Sequence, residues 1–171
     1  MRKKNIFILI GILAVVVLVW MIIPQKTKIK FVSSKYELNE KFNNSEHVFS
    51  LLDFTKGHFS LYLVLEDVDY DLIKRYNKIS GNCMCTEDIN VIKEILLSLE
   101  DAKGTGGDIA TVGSYIVLKR NNKTIYFSEV LFNKHEIDGL QNGYRGACLL
   151  KKPINLDVLK HFSSCKNTVE I

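Results

Sequence analysis

The sequence predicts an α+β domain, with a largely antiparallel sheet packed by two to three helices, behind a single N-terminal transmembrane helix. Three observations predict it. The run Ile6–Ile23 is 18 residues long and carries no charge. Segments of strand period precede and follow a central pair of helical period, the order of an α+β domain rather than of alternating βα units. Turn residues, Gly57 in one place and Asn121-Asn122 in another, separate the strand-like runs at hairpin spacing.

The apolar run comes first. As a helix, its 18 residues reach about 27 Å, close to the hydrocarbon thickness of about 30 Å. A cleaved signal peptide also begins with basic residues, here Arg2, Lys3 and Lys4, but its apolar core is about 7–15 residues and ends at small residues. This run is longer and closes on Trp20, Met21, Ile22, Ile23 and Pro24, so an uncleaved signal anchor is expected, with Trp20 at the interface. Lysines lie on both sides, with Lys26, Lys28, Lys30, Lys35 and Lys41 beyond the run. The three basic residues packed on a very short tail favour a cytoplasmic N terminus, since long domains translocate largely regardless of charge. The division expected is a basic tail at 1–5, an anchor at 6–23, a juxtamembrane strand and loop at 24–45, and one globular extracytoplasmic domain at 46–171.

Within the soluble part, Thr27–Val32 alternates as a strand, and the polar stretch 33–45 reads as loop with Tyr36 and Leu38 dipping inward. The aromatic-rich runs His47–Phe54 and His58–Glu66, around Thr55-Lys56-Gly57, read as a hairpin. From Asp69, a candidate N-cap, Leu72, Ile73, Tyr76 and Ile79 recur at helical spacing until Ser80-Gly81. A stronger helix is predicted over 87–101, capped by Thr86 and striped by Ile89, Ile92, Ile95, Leu96 and Leu99, the signature of packing on a sheet. Thr111–Lys119 and Lys123–Leu131 then flank a turn at Arg120-Asn121-Asn122, whose asparagines tolerate left-handed backbone angles. A glycine- and asparagine-containing loop follows, then a strand at Tyr144–Leu150 and a short helix capped by Asn155 behind Pro153.

Charge excludes one class of partner. The chain is +4, and without Arg2, Lys3 and Lys4 it has 20 basic against 19 acidic residues. A near-neutral domain lacks the clustered cations that supply nucleic-acid affinity, so no nucleic acid is expected.

Four cysteines are the sharpest local feature. Cys83 and Cys85 precede the long helix, while Cys148 and Cys165 flank the last one. In an extracytoplasmic domain an even count suggests disulfides. Cys148 with Cys165 closes a loop of about 17 residues, worth roughly 3 kcal/mol in the chain-entropy model. At most one of Cys83 and Cys85 is expected to bond to the C-terminal region. Buried free thiols and a thiolate metal site are the alternatives, the latter disfavoured because C-x-C is not the usual zinc spacing.

No catalytic, metal or cofactor residue emerges. The segment Lys103–Asp108, KGTGGD, follows a helix and enters a strand, the reverse of a phosphate-binding loop, and lacks the Gly-Lys-Ser/Thr ending. It reads as a helix terminus plus surface loop. His47, His58, His135 and His161 have no metal spacing, and Glu66, Asp67, Asp69 and Asp71 suit a helix start. Recognition is therefore expected on loops: Lys103, Thr105 and Asp108 in one, and His135, Glu136, Tyr144 and Arg145 in another.

A short basic tail, one anchor and a small α+β domain without catalytic residues resembles, in architecture only, bacterial envelope proteins that bind another protein. Membrane-anchored immunity proteins that neutralise a secreted toxin are among them. The resemblance implies a single-pass inner-membrane protein whose domain lies in the periplasm or otherwise outside the cytoplasm. Its partner would be a toxin or an envelope component. A scaffold or assembly subunit is the alternative, and a hydrolase using His135 or His58 is a third.

Overall fold

The computed structural model describes residues 3–22, 29–30, 36–44, 47–79, 81–104, 113–142, 146–165 and 169–170. In chain order the helices are α1 (Lys3–Ile22), α2 (Glu37–Asn44), α3 (Asp67–Lys74) and α4 (Ile89–Glu100), with a 3-10 helix at Leu156–His161. The strands are β1 (Ile29–Lys30), β2 (Phe59–Val64), β3 (Cys83–Thr86), β4 (Lys103–Gly104), β5 (Ser114–Arg120), β6 (Lys123–Asn133), β7 (Glu136–Asn142), β8 (Gly146–Asn155), β9 (Ser163–Ser164) and β10 (Val169–Glu170). Eight of them form one sheet in the order β4-β8-β7-β6-β5-β2-β3-β9. Every neighbouring pair in it is antiparallel. The fold is α+β, with a large antiparallel sheet and few helices.

Side-chain alternation gives the sheet two faces. On one, Leu61, Leu63, Ile116, Leu118, Tyr126, Val130, Leu140 and Cys148 meet the buried stripe Ile92, Ile95, Leu96 and Leu99 of α4. Burying each of those α4 side chains contributes about 1.5–3 kcal/mol. α4 thereby carries the chain from β3 near one edge to β4 at the other. On the opposite face Val64, Cys83 and Val117 pack with Tyr36 and Val169. The C-terminal β10 runs parallel to β1, with Ile29 opposite Val169.

Several expectations hold in place and type. Asn121 and Asn122, at φ 51° and 64°, make the left-handed turn between β5 and β6. Asn155 caps the last helix, its side chain accepting from Asp157 N. α4 has the predicted stripe but a different cap: Asp88 accepts from Asn90 N and Val91 N, while Thr86 Oγ1 accepts from Asp88 N at 3.2 Å. Thr86 itself stays in β3.

Other expectations are corrected. Part of the predicted loop 33–45 is α2, a helix of only eight residues, too short to show a period. Residues 47–50 form a turn rather than a strand, because Glu100 Oε1 accepts from Phe49 N at 2.7 Å and Ser50 N at 3.2 Å. β2 pairs instead with β3 and β5. α3 starts at Asp67 and not at Asp69, whose carboxylate accepts from Ser114 Oγ at 2.5 Å. The loop expected after β6 is largely strand β7.

The disulfide joins Cys83 to Cys165, with Cα atoms 5.3 Å apart. Cys165 bonding Cys83 rather than Cys148 follows from the sheet order. Cys148 lies on β8 and Cys165 just past β9, six strand spacings apart, or about 29 Å. Cys148, which is buried, and Cys85, which is half-buried, lie outside this disulfide.

The described side chains of α1, residues 10–19, are all exposed: Ile10, Ile12, Leu13 and Val15–Val19 lie between 45% and 67%. Among the described residues no helix is long and apolar enough to cross a membrane. A membrane role for α1 thus rests on its sequence.

Candidate functional site

The surface with the most recognition character lies where the end of α3, the β6–β7 turn and the 3-10 helix converge. Tyr76 N and Asn77 N both donate to Ile73 O, at 3.0 and 2.8 Å, closing α3 and ending its periodicity. Tyr76, expected in the apolar stripe of that helix, is instead 52% exposed. Its ring meets that of His135 edge-on, with centroids 4.9 Å apart. His135 occupies the turn Lys134-His135, and its carbonyl accepts from Leu156 N at 2.8 Å, tying the turn to the 3-10 helix. Leu156 and Leu159 anchor that helix in the core, which leaves Asp157 and Lys160 outward.

Between the segment that follows α3 and the 3-10 helix is a cavity of about 190 Å³ lined by Asn77, Lys78, Ile79, Leu156, Asp157, Leu159 and Lys160. Lys78 and Lys160 are exposed, and neither forms an ion pair with a described residue. Two unpaired ammonium groups against the one carboxylate of Asp157 give the hollow a positive balance. An exposed aromatic beside it supplies apolar area of the kind that anchors protein interfaces.

The predicted site residues fall unevenly. His135 is exposed beside Tyr76, and Glu136 follows it half-buried at the start of β7, opposite Asn133 and Asn155. Lys103 is exposed on the edge strand β4, opposite Leu149, so the structure does not bring it to this hollow. Thr105, Asp108, Tyr144 and Arg145 lie outside the described residues. Lys78, Asp157 and Lys160 were not singled out from sequence, and Tyr76 was read as part of a helix stripe rather than as a site residue; the only signal was a tyrosine just ahead of the Ser80-Gly81 break.

Among the described residues no group of three or more His, Cys, Asp and Glu could hold a metal ion. His58 Nε2 lies 3.1 Å from Glu87 Oε2, with both side chains well exposed. Among the described residues no serine or cysteine bonds to that pair, and no histidine lines the cavity. Comparison with protein-family models, curated proteins and solved structures returned no match.

Proposed function

We propose that this chain is a non-enzymatic, membrane-anchored domain that binds another protein. Its most concrete form is an immunity-type protein that neutralises a toxin outside the cytoplasm. The observation that carries binding is the exposed Tyr76–His135 ring pair next to a hollow lined by Lys78 and Lys160. Fixed backbone holds an aromatic anchor and cations outward, and such anchors dominate interface energy. The partner's contacting surface is acidic by charge complementarity. The anchor is the uncharged run Ile6–Ile23 behind Arg2, Lys3 and Lys4.

The test is affinity purification of the full-length protein from native membranes, followed by titration of the purified partner. A partner that binds wild type, and binds the double variant Lys78→Glu/Lys160→Glu at least tenfold more weakly, supports the reading. Equal binding by both would remove the hollow from the interface.

A scaffold role in an envelope complex is the second reading, favoured by one observation. Every described side chain of α1 is exposed, leaving that helix open to contacts of its own. Replacing Ile6–Ile23 with an unrelated anchor discriminates: a scaffold loses function, whereas a tethered binding domain keeps it.

A further inference from the structure

We propose that Cys85 is a thiol–disulfide exchange site that can take Cys165 from Cys83. The proposal stands on the placement of three cysteines at one sheet edge and, for its setting outside the cytoplasm, on the function proposed above. β3 and β9 pair antiparallel with Met84 opposite Ser164 and Cys85 opposite Ser163. The same register places Cys83 opposite Cys165, where Cys165 N donates to Cys83 O at 2.9 Å. Cys83 and Cys85 are two residues apart on one strand and therefore project from the same face. Cys85 is not sealed in the core: it is half-buried, and its Sγ lies 3.7 Å from Ser163 Oγ.

Diagonal neighbours on such a pair sit about 7–8 Å apart, slightly beyond the range of about 4.4–6.8 Å that a disulfide accepts between Cα atoms. A two-residue slip of β9 along β3, completed as the Cys83–Cys165 bond gives way, removes that gap. It moves Cys165 by about 7 Å to lie opposite Cys85 and, because the side-chain period is 2, keeps it on the same face. Only two ladder positions hold β9 on β3, so little pairing must break.

The exchange balances without any outside oxidant. Cys85 gives its proton to solvent, and its thiolate attacks the Sγ of Cys165. The Cys85–Cys165 bond forms as the Cys83–Cys165 bond breaks, and Cys83 leaves as a thiolate that takes up a proton. Val169, four residues beyond Cys165, pairs with Ile29 of β1, so the slip also acts on the strand that follows α1.

The experiment is disulfide mapping of the full-length protein, purified without reductant, acid-quenched, alkylated and digested. After incubation at mildly alkaline pH, wild type should yield a Cys85–Cys165 peptide beside Cys83–Cys165. Cys83→Ser should carry Cys85–Cys165 as its main disulfide, with Cys148 alkylatable only after unfolding. Two results would each overturn the proposal. One is wild type that keeps Cys83–Cys165 alone however long it is incubated. The other is linkage of Cys165 to Cys148 as often as to Cys85, which marks scrambling in the unfolded chain. The wild-type mapping decides even where Cys83→Ser does not fold. None of these readouts involves a partner, so they succeed or fail separately from the binding reading.

Discussion

Asn39 grips the backbone of Phe127 from both sides of one residue: its Nδ2 donates to the Phe127 carbonyl at 2.6 Å, and its Oδ1 accepts from the Phe127 N–H at 3.0 Å. Pairing between β6 and β7 ends at Glu129 opposite Gln141. Two residues further along β6, a side-chain amide from α2 takes the place that a strand holds elsewhere. Asn39 is 3% exposed, so these bonds are shielded from water.

Asn39→Leu removes both partners while keeping similar bulk. Leaving a buried donor and acceptor unmet costs about 1–3 kcal/mol each, so a loss of about 2–6 kcal/mol is expected in denaturant unfolding. Asn39→Asp keeps the acceptor but sets a carboxylate against the carbonyl, and should also destabilise. A change below about 0.5 kcal/mol for both variants would show that α2 is held by other means.

Gly139 is required by close approach rather than by its backbone angle. A Cβ there would lie 2.7 Å from Leu131 Cδ1 and 2.8 Å from the Cys148 carbonyl oxygen. The leucine side chain can turn aside, but the strand backbone cannot. Gly139→Ala is expected to cost about 1–3 kcal/mol, as other overpacked sites do. Gly104→Ala, with nothing within 4 Å of its Cβ, is the matched control and should change stability little. Thermal unfolding of the two variants side by side checks this.

The same strand shows why part of the fold was hidden from sequence reading. Ile137 and Leu140 both face the α4 side of the sheet although they are three residues apart, because a register shift falls between Ile137 and Gly139. That bulge breaks the alternation, and with Glu136, Asp138, Gln141 and Asn142 around it the segment looks like a loop. α4 was legible because its period runs unbroken, and the β5–β6 hairpin because its turn chemistry is local, even though its register shifts between Leu118 and Lys119. The disulfide partner depends on strand order across the whole sheet, which no local pattern records. In the candidate site, His135 was legible as a loop residue, but its meeting with Tyr76 depends on α3 closing at Ile73 O.

The disulfide closes a span of 82 residues. In the chain-entropy model that is worth about 4–5 kcal/mol. Reduction under native conditions should therefore lower the thermal transition of the full-length protein by roughly 10 °C or more. An unchanged transition in dithiothreitol, with reduction verified by mass, would contradict the assignment.

Tyr115 links stability to alkaline pH. Burial first, then the nearby Glu129 and Glu66 carboxylates, raise its phenol above the ordinary value of 10.0. Its ring stacks on Phe127, with centroids 5.2 Å apart. A raised folded pKa means that the contribution is fully present below pH 10 and is lost as pH climbs from there through the folded value. Tyr115→Phe should flatten this part of the stability profile, measured by urea unfolding between pH 9 and 11. The same alkaline slope in wild type and variant would locate the sensitivity elsewhere.

Binding through the Tyr76–His135 surface is the central claim, and a titration of purified partner against three full-length variants tests it most directly. Tyr76→Ala should raise Kd by roughly 30-fold, the loss of about 2 kcal/mol typical of an aromatic anchor. Lys78→Glu/Lys160→Glu should raise it further, and its deficit should shrink as salt screens the charges. His58→Ala, at the exposed pair with Glu87, should bind as wild type does. All three should keep the wild-type thermal transition to within a few degrees. Wild-type affinity in the Tyr76 and lysine variants, together with loss of activity in His58→Ala at unchanged stability, would contradict the binding account and favour an enzyme.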